Sequence, residues 1–303
     1  MTVPLPLRLQ VMMVYGLIAL RFALKVFKKR NPFFKVHSSL SQLDHVIRGS
    51  AIALFLCWLI LWHTEYSYWS VLLCAVAPLL LVFLPLRLAG PDLRHKLRTT
   101  LLQAQLSSIL VADVLTSYAK VFADWEVLLF CSIRTPGIDP ALSCSIGLLG
   151  MSLSMTPYAL RFVQCLLDYR HKKSYSSLVN ALKYLLSFPL IYIGTMVDST
   201  SKTHNGILML IALSTVLNIG WDLLMDWKIR LDDTFYQVAI PMNILIRLLW
   251  AYRLLCLCYY KKAWSSVAEL LLMIAEITRR MVWLIARLER EQGSGVFLLP
   301  LHK

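Results

Sequence analysis

Nine ionisable residues interrupt otherwise apolar stretches of this sequence: Asp113, Arg161, Lys183, Asp222, Asp226, Arg247, Glu276, Arg279 and Arg280. Charge buried in hydrocarbon is expensive, so such groups usually face a cavity, pair with one another and mark a substrate path. Five are cations and four are anions, which describes a mixed site rather than a plain charge funnel. Arginine's planar fork matches a tetrahedral oxyanion through two parallel hydrogen bonds, and lysine adds a point charge. Carboxylates among them would hold the cations paired in an empty site and keep binding weak enough for release.

Spacing supports such a grouping. Asp222 and Asp226 are four residues apart and share a helix face. Asp113 precedes Thr116 and Ser117 by three and four residues, giving one face a carboxylate and two hydroxyls. Lys183 is followed by Tyr184, a donor beside a point charge. Arg279 and Arg280 diverge by about 100° on a helix and reach two neighbours at once. Trp250 follows Arg247 by one turn, where it could stack on the guanidinium and serve as a gate. Plainer readings stay open: Asp222 and Asp226 as a cytosolic helix end, Lys183, Arg279 and Arg280 as snorkelling groups, Trp250 as packing.

The elements that carry these residues are helices in lipid. Of 303 residues 58% are hydrophobic and 16% charged, with mean hydropathy +0.63, more apolar surface than one globule of this size can hide. Tyr66 to Leu86 and Ala141 to Leu160 carry no charge, each long enough to cross a hydrocarbon core. The runs are continuous rather than alternating, which excludes barrel strands. The expected class is therefore an all-α, polytopic integral membrane protein. About ten helices are expected, near 11–27, 44–62, 69–86, 93–107, 109–133, 143–167, 178–197, 206–225, 235–259 and 263–288. Merging the short fourth segment with its neighbour leaves nine.

The net charge of +14 fits positive-inside flanking, an electropositive route for an anion, or both. No basic stripe lies on a soluble domain, so nucleic acid is not an expected partner. The basic runs Arg170-His-Lys-Lys173 and Asp226-Trp-Lys-Ile-Arg230 place two loops in the cytosol, with the C-terminal tail. Lys28-Lys-Arg30 also calls for the cytosol, yet ten helices ending inside would place it outside. Seven cysteines show no metal pattern, although Cys131 and Cys144 could pair if their loop faces an oxidising lumen. No histidine falls in a catalytic or metal spacing and no glycine loop cradles phosphate, so neither enzyme, cofactor nor metal is expected.

Several of these residues belong to longer motifs. Leu160-Arg-Phe-Val-Gln-Cys-Leu166 with Tyr169-Arg170 resembles the arginine-phenylalanine-x-glutamine-cysteine signature of the EXS family. Asn180-Ala-Leu-Lys-Tyr184, Trp221-Asp-Leu-Leu-Met-Asp-Trp227, Ile246-Arg-Leu-Leu-Trp250 and Glu276-Ile-Thr-Arg-Arg-Met-Val-Trp283 follow in the family's order. Upstream, Ala112-Asp-Val-Leu-Thr-Ser117 is similar to another family element, with Thr116 where the family has asparagine.

This resemblance covers about residues 110–292 and implies a phosphate path. It would be lined by Asp113, Arg161, Lys183, Tyr184, Asp222, Asp226, Arg247, Arg279 and Arg280, with Trp250 as candidate gate and Thr116, Ser117 and Glu276 secondary. It divides the chain into scaffold helices (1–108), an EXS-type transport region (109–292) and a short cytosolic tail (293–303). Only about ten residues precede the first expected helix. That fits the ER-retention-defective branch, which lacks the soluble SPX domain. The branch implies a Golgi membrane protein that returns inorganic phosphate, left by glycosylation, from lumen to cytosol. The alternative it leaves open is a trafficking factor that works with the retention machinery of Golgi glycosyltransferases without transporting anything. The oligomeric state is open too, a homodimer being one arrangement.

Overall fold

The computed structural model describes residues 4–31, 106–134, 146–196, 205–227, 231–258 and 264–293, with a few isolated positions besides. The expected helices near 44–62, 69–86 and 93–107, and the loop from Cys131 to Cys144, lie wholly or largely outside the described residues.

The described elements are all helical: α1 (Leu5–Arg30), α2 (Leu106–Thr116), α3 (Ala119–Arg134), α4 (Leu148–Lys172), α5 (Tyr175–Leu185), α6 (Ser187–Met196), α7 (Asn205–Trp221), a π-turn (Asp222–Asp226), α8 (Thr234–Cys258) and α9 (Ser266–Gly293). Among the described residues four stretches are long and apolar enough to cross a membrane: Leu5–Arg30, Tyr175–Thr195, Gly206–Asp226 and Thr234–Leu257. Burial is inverted relative to a soluble protein. Met209 and Leu224 are 74% and 79% exposed while Asp222 and Arg279 are each 1% exposed. Water would reverse that distribution, whereas lipid on the outside and polar groups inside accounts for it.

Two expected helices are broken. The segment near 109–133 divides at Ser117 and Tyr118, whose N–H groups donate to Val114 and Leu115, three residues back. The segment near 178–197 divides at Leu186, between α5 and α6. The π-turn after α7 is closed by Trp227 N–H donating to the Asp222 carbonyl at 3.1 Å, a five-residue step. Short interruptions of this kind inside membrane helices are tolerated where they line a cavity.

The helix α9 packs on α1, α2, α8 and the π-turn, and α4 packs on α2, α3, α5 and α6. Leu5, Met12, Ile277, Trp283 and Leu284 form part of one apolar core that joins α1 to α9, with Tyr236 of α8 beside them. Tyr118 at the α2–α3 break sits on Gly16 of α1, so closely that a Cβ there would overlap its hydroxyl. Arg30 closes the end of α1 against Glu289 and Asp233, each at 2.5 Å. The basic run Lys28 to Arg30 therefore shares one end of the bundle with the start of α8 and the finish of α9.

Candidate functional site

The helix breaks border a cavity of about 210 Å³. That is far above the roughly 10–15 Å³ needed to hold one water. Among the described residues its wall includes Lys120, Lys183, Arg247, Arg253, Arg279 and Arg280 but a single carboxylate, Glu276. Thr116, Ser117, Ser154, Tyr158, Tyr184 and Ser187 add hydroxyls, and Trp250 lines it as well. The other expected carboxylates stand behind this surface, where each holds cations in place.

Asp113 on α2 reaches Arg161 on α4 at 2.9 Å, and Tyr184 donates its hydroxyl to the same carboxylate oxygen at 2.6 Å. Arg161 also donates to Gln164 at 2.8 Å. The Arg161 guanidinium lies over the Tyr184 ring at 5.1 Å, and Lys183 covers that ring at 4.6 Å. This cluster fixes the α4–α5 pair beside the first helix break.

Asp222, in the π-turn, accepts from Arg247 Nη2 at 2.5 Å and from Arg279 Nη1 at 3.3 Å. Arg279 is further held by Glu276 at 2.5 Å and by the Asn243 amide oxygen at 3.2 Å. Arg280 points elsewhere, donating to Ser117 at 3.2 Å and Thr116 at 3.0 Å. The divergence expected of adjacent arginines is met. Thr116 can accept from Arg280 because its own proton goes to the Asp113 carbonyl at 2.6 Å.

Asp226 does lie on the side of the π-turn that faces α9, as Asp222 does. It meets the next turns of α9, accepting from Trp283 Nε1 and Arg287 Nη1, each at 2.9 Å. Neither Asp113, Arg161, Asp222 nor Asp226 reaches the cavity wall. The expected stack of Trp250 on Arg247 is corrected: Arg253 lies over that ring, at 5.1 Å. One turn separates Trp250 from either arginine, so spacing alone could not choose between them.

Two cations differ from the rest. Lys183 and Arg280 are buried and line the cavity, yet among the described residues neither forms an ion pair with a carboxylate. Lys183 rests on the faces of Tyr184 and Trp221, the latter at 5.3 Å, and Arg280 on Trp283 at 4.8 Å. Aromatic faces and hydroxyls soften buried positive charge without cancelling it. Chemically, the cavity can receive an anion with several oxygen acceptors.

The residue reading missed Asn243, Tyr158 and Lys120. Asn243 is an amide one turn before Arg247 in an apolar run, a signal of the kind already used for the charges.

The sequence matches the EXS family over residues 3–293. The chain belongs to the EXS family. The match takes in α1 as well as the motif-bearing helices that follow. Protein ERD1 homolog 1 of Schizosaccharomyces pombe is 24% identical over 218 residues, 62% of this chain and 57% of the relative. Protein ERD1 of Saccharomyces cerevisiae is 23% identical over 220 residues, 60% of this chain and 54% of the relative. Phosphate transporter PHO1 homolog 10 of Arabidopsis thaliana is 28% identical over 162 residues, 48% of this chain and 21% of the relative. The chain thus matches little more than half the length of the ERD1 relatives, and about a fifth of the third. None of these three EXS relatives bears the name of an enzyme.

Proposed function

We propose that this EXS protein is a phosphate transporter, and that the cavity between α2 and α9 is its binding site. One observation carries the reading: Lys183 and Arg280, both buried, face one cavity without a carboxylate partner among the described residues. Asp113, Asp222 and Asp226 act on Lys183 from a distance, and Asp113, Asp222 and Glu276 on Arg280, which offsets these buried charges only in part. An anion in the cavity would offset both, and a tetrahedral one could accept from Arg247 and Arg279 as well. The paired carboxylates Asp113 and Asp222 set orientation and moderate affinity, while Asp226 anchors the π-turn to α9. Trp250 closes one wall as a candidate gate. The name of the Arabidopsis relative supports phosphate as the anion. The likeness to ERD1 proteins supports a Golgi membrane, with phosphate leaving the lumen for the cytosol.

Uptake of labelled inorganic phosphate by proteoliposomes tests this, with the Arg247→Ala, Arg280→Ala double variant as control. Saturable flux that the double variant abolishes is expected. Folded, inserted protein without flux would overturn the reading and favour a retention role. In that case substitutions in the exposed run Arg170 to Lys173, rather than in the cavity, would destroy function.

A further inference from the structure

The cavity has a cation that the motifs do not include. Lys120 stands three and four residues beyond Ser117 and Thr116, about one helical turn along. Its ammonium meets Asp124 on the same helix at 2.6 Å. Arg8 of α1 approaches the other oxygen of that carboxylate at 2.8 Å. Two cations thus share one carboxylate, leaving a net positive charge at this place. The Arg8 contact is an ion pair by distance alone: its angle is not that of a hydrogen bond, and Arg8 Nε has no hydrogen-bond partner.

The three groups are unequally free. The Lys120 side chain is 22% exposed, against 9% for Arg8 and 2% for Asp124. Lys120 also lines the cavity, whereas Arg8 does not. If Lys120 swings from Asp124 to an anion, Arg8 still compensates the buried carboxylate, so no lone buried charge is left. A lysine on its flexible stem suits that exchange better than a clamped guanidinium.

The position has a side. The α3 helix leads away from the α2–α3 break, and its Glu126 meets Gly147 and Gly150 at the start of α4. The basic residues Arg170, His171 and Lys172 lie at the opposite end of α4. We infer that Lys120 is a second anion-binding position, holding a phosphate-like oxyanion on its way between Lys183 and Arg280 and the face opposite the basic runs. This rests on the proposed transport function.

The test is phosphate flux in vesicles of known orientation, with the half-saturating concentration measured from each face. Lys120→Gln should raise it roughly tenfold from the face opposite the basic runs, the loss of about one charge-assisted contact. Lys120→Arg should restore it, and Lys120→Met repeats the test should the glutamine variant misfold. An unchanged value in the folded variants, with wild-type flux intact, would overturn the Lys120 position alone. Absence of wild-type phosphate flux would overturn both this inference and the transport reading.

Discussion

Asp113 and Arg161 are 48 residues apart in the chain and meet at 2.9 Å with both side chains buried. Each is the other's main compensation, and the pair joins α2 to α4. Arg161→Met should therefore destabilise the protein by about 3–5 kcal/mol, the usual effect of breaking a buried pair from one side. The double variant Asp113→Leu, Arg161→Met should recover most of that loss. Unfolding in detergent measures all four corners of the cycle, and strictly additive losses would show that the pair does not act as a unit.

Asp222 restrains Arg247 and Arg279 together through one oxygen. With Asp222→Asn, both guanidinium groups should bind phosphate more strongly and release it more slowly. Half-saturation should fall by about tenfold, or about 1.4 kcal/mol, while maximal flux also falls. A lower flux with unchanged half-saturation would instead assign Asp222 a purely structural part.

Thr116 orients Arg280 through a single hydroxyl at 3.0 Å. Thr116→Val removes that acceptor and should weaken phosphate half-saturation by about fivefold, in keeping with a hydrogen bond worth about 1 kcal/mol. Thr116→Asn supplies an amide oxygen and should retain much of the wild-type value. Equal behaviour of the two variants would show that Arg280 does not depend on the acceptor.

Gly16 admits the Tyr118 hydroxyl against α1, which seats the α2–α3 break beside the cavity. Gly16→Ala should destabilise the bundle by about 1–3 kcal/mol through overpacking. Adding Tyr118→Phe removes the nearest atom and should recover part of the loss; the ring's Cζ would still lie 2.8 Å from the new methyl. Thermal unfolding compares the single and double variants.

Much of the site was legible because its residues break a simple rule. Asp222, Arg247 and Arg279 stand out as charges in apolar runs, and the structure gathers them around one oxygen. The side-by-side divergence of Arg279 and Arg280 follows from helix geometry alone. What the residues conceal is depth. Asp113, Arg161, Asp222 and Asp226 look alike in sequence to the groups of the wall, yet they stand behind it. Lys120 escaped notice because it lies four residues from Asp124, as an ordinary surface pair would.

By itself the sequence determined the helical, lipid-facing class and most of the ionisable residues that had to be buried. Both follow from local quantities: the length of an apolar run and the cost of a charge within it. Tertiary structure alone decided the partners. It placed Arg253 rather than Arg247 on Trp250, sent Asp226 to Trp283 and Arg287, and left Lys183 and Arg280 without a carboxylate in contact among the described residues. Those choices depend on where helices cross and where they break, and a side chain's spacing along one helix does not contain that information.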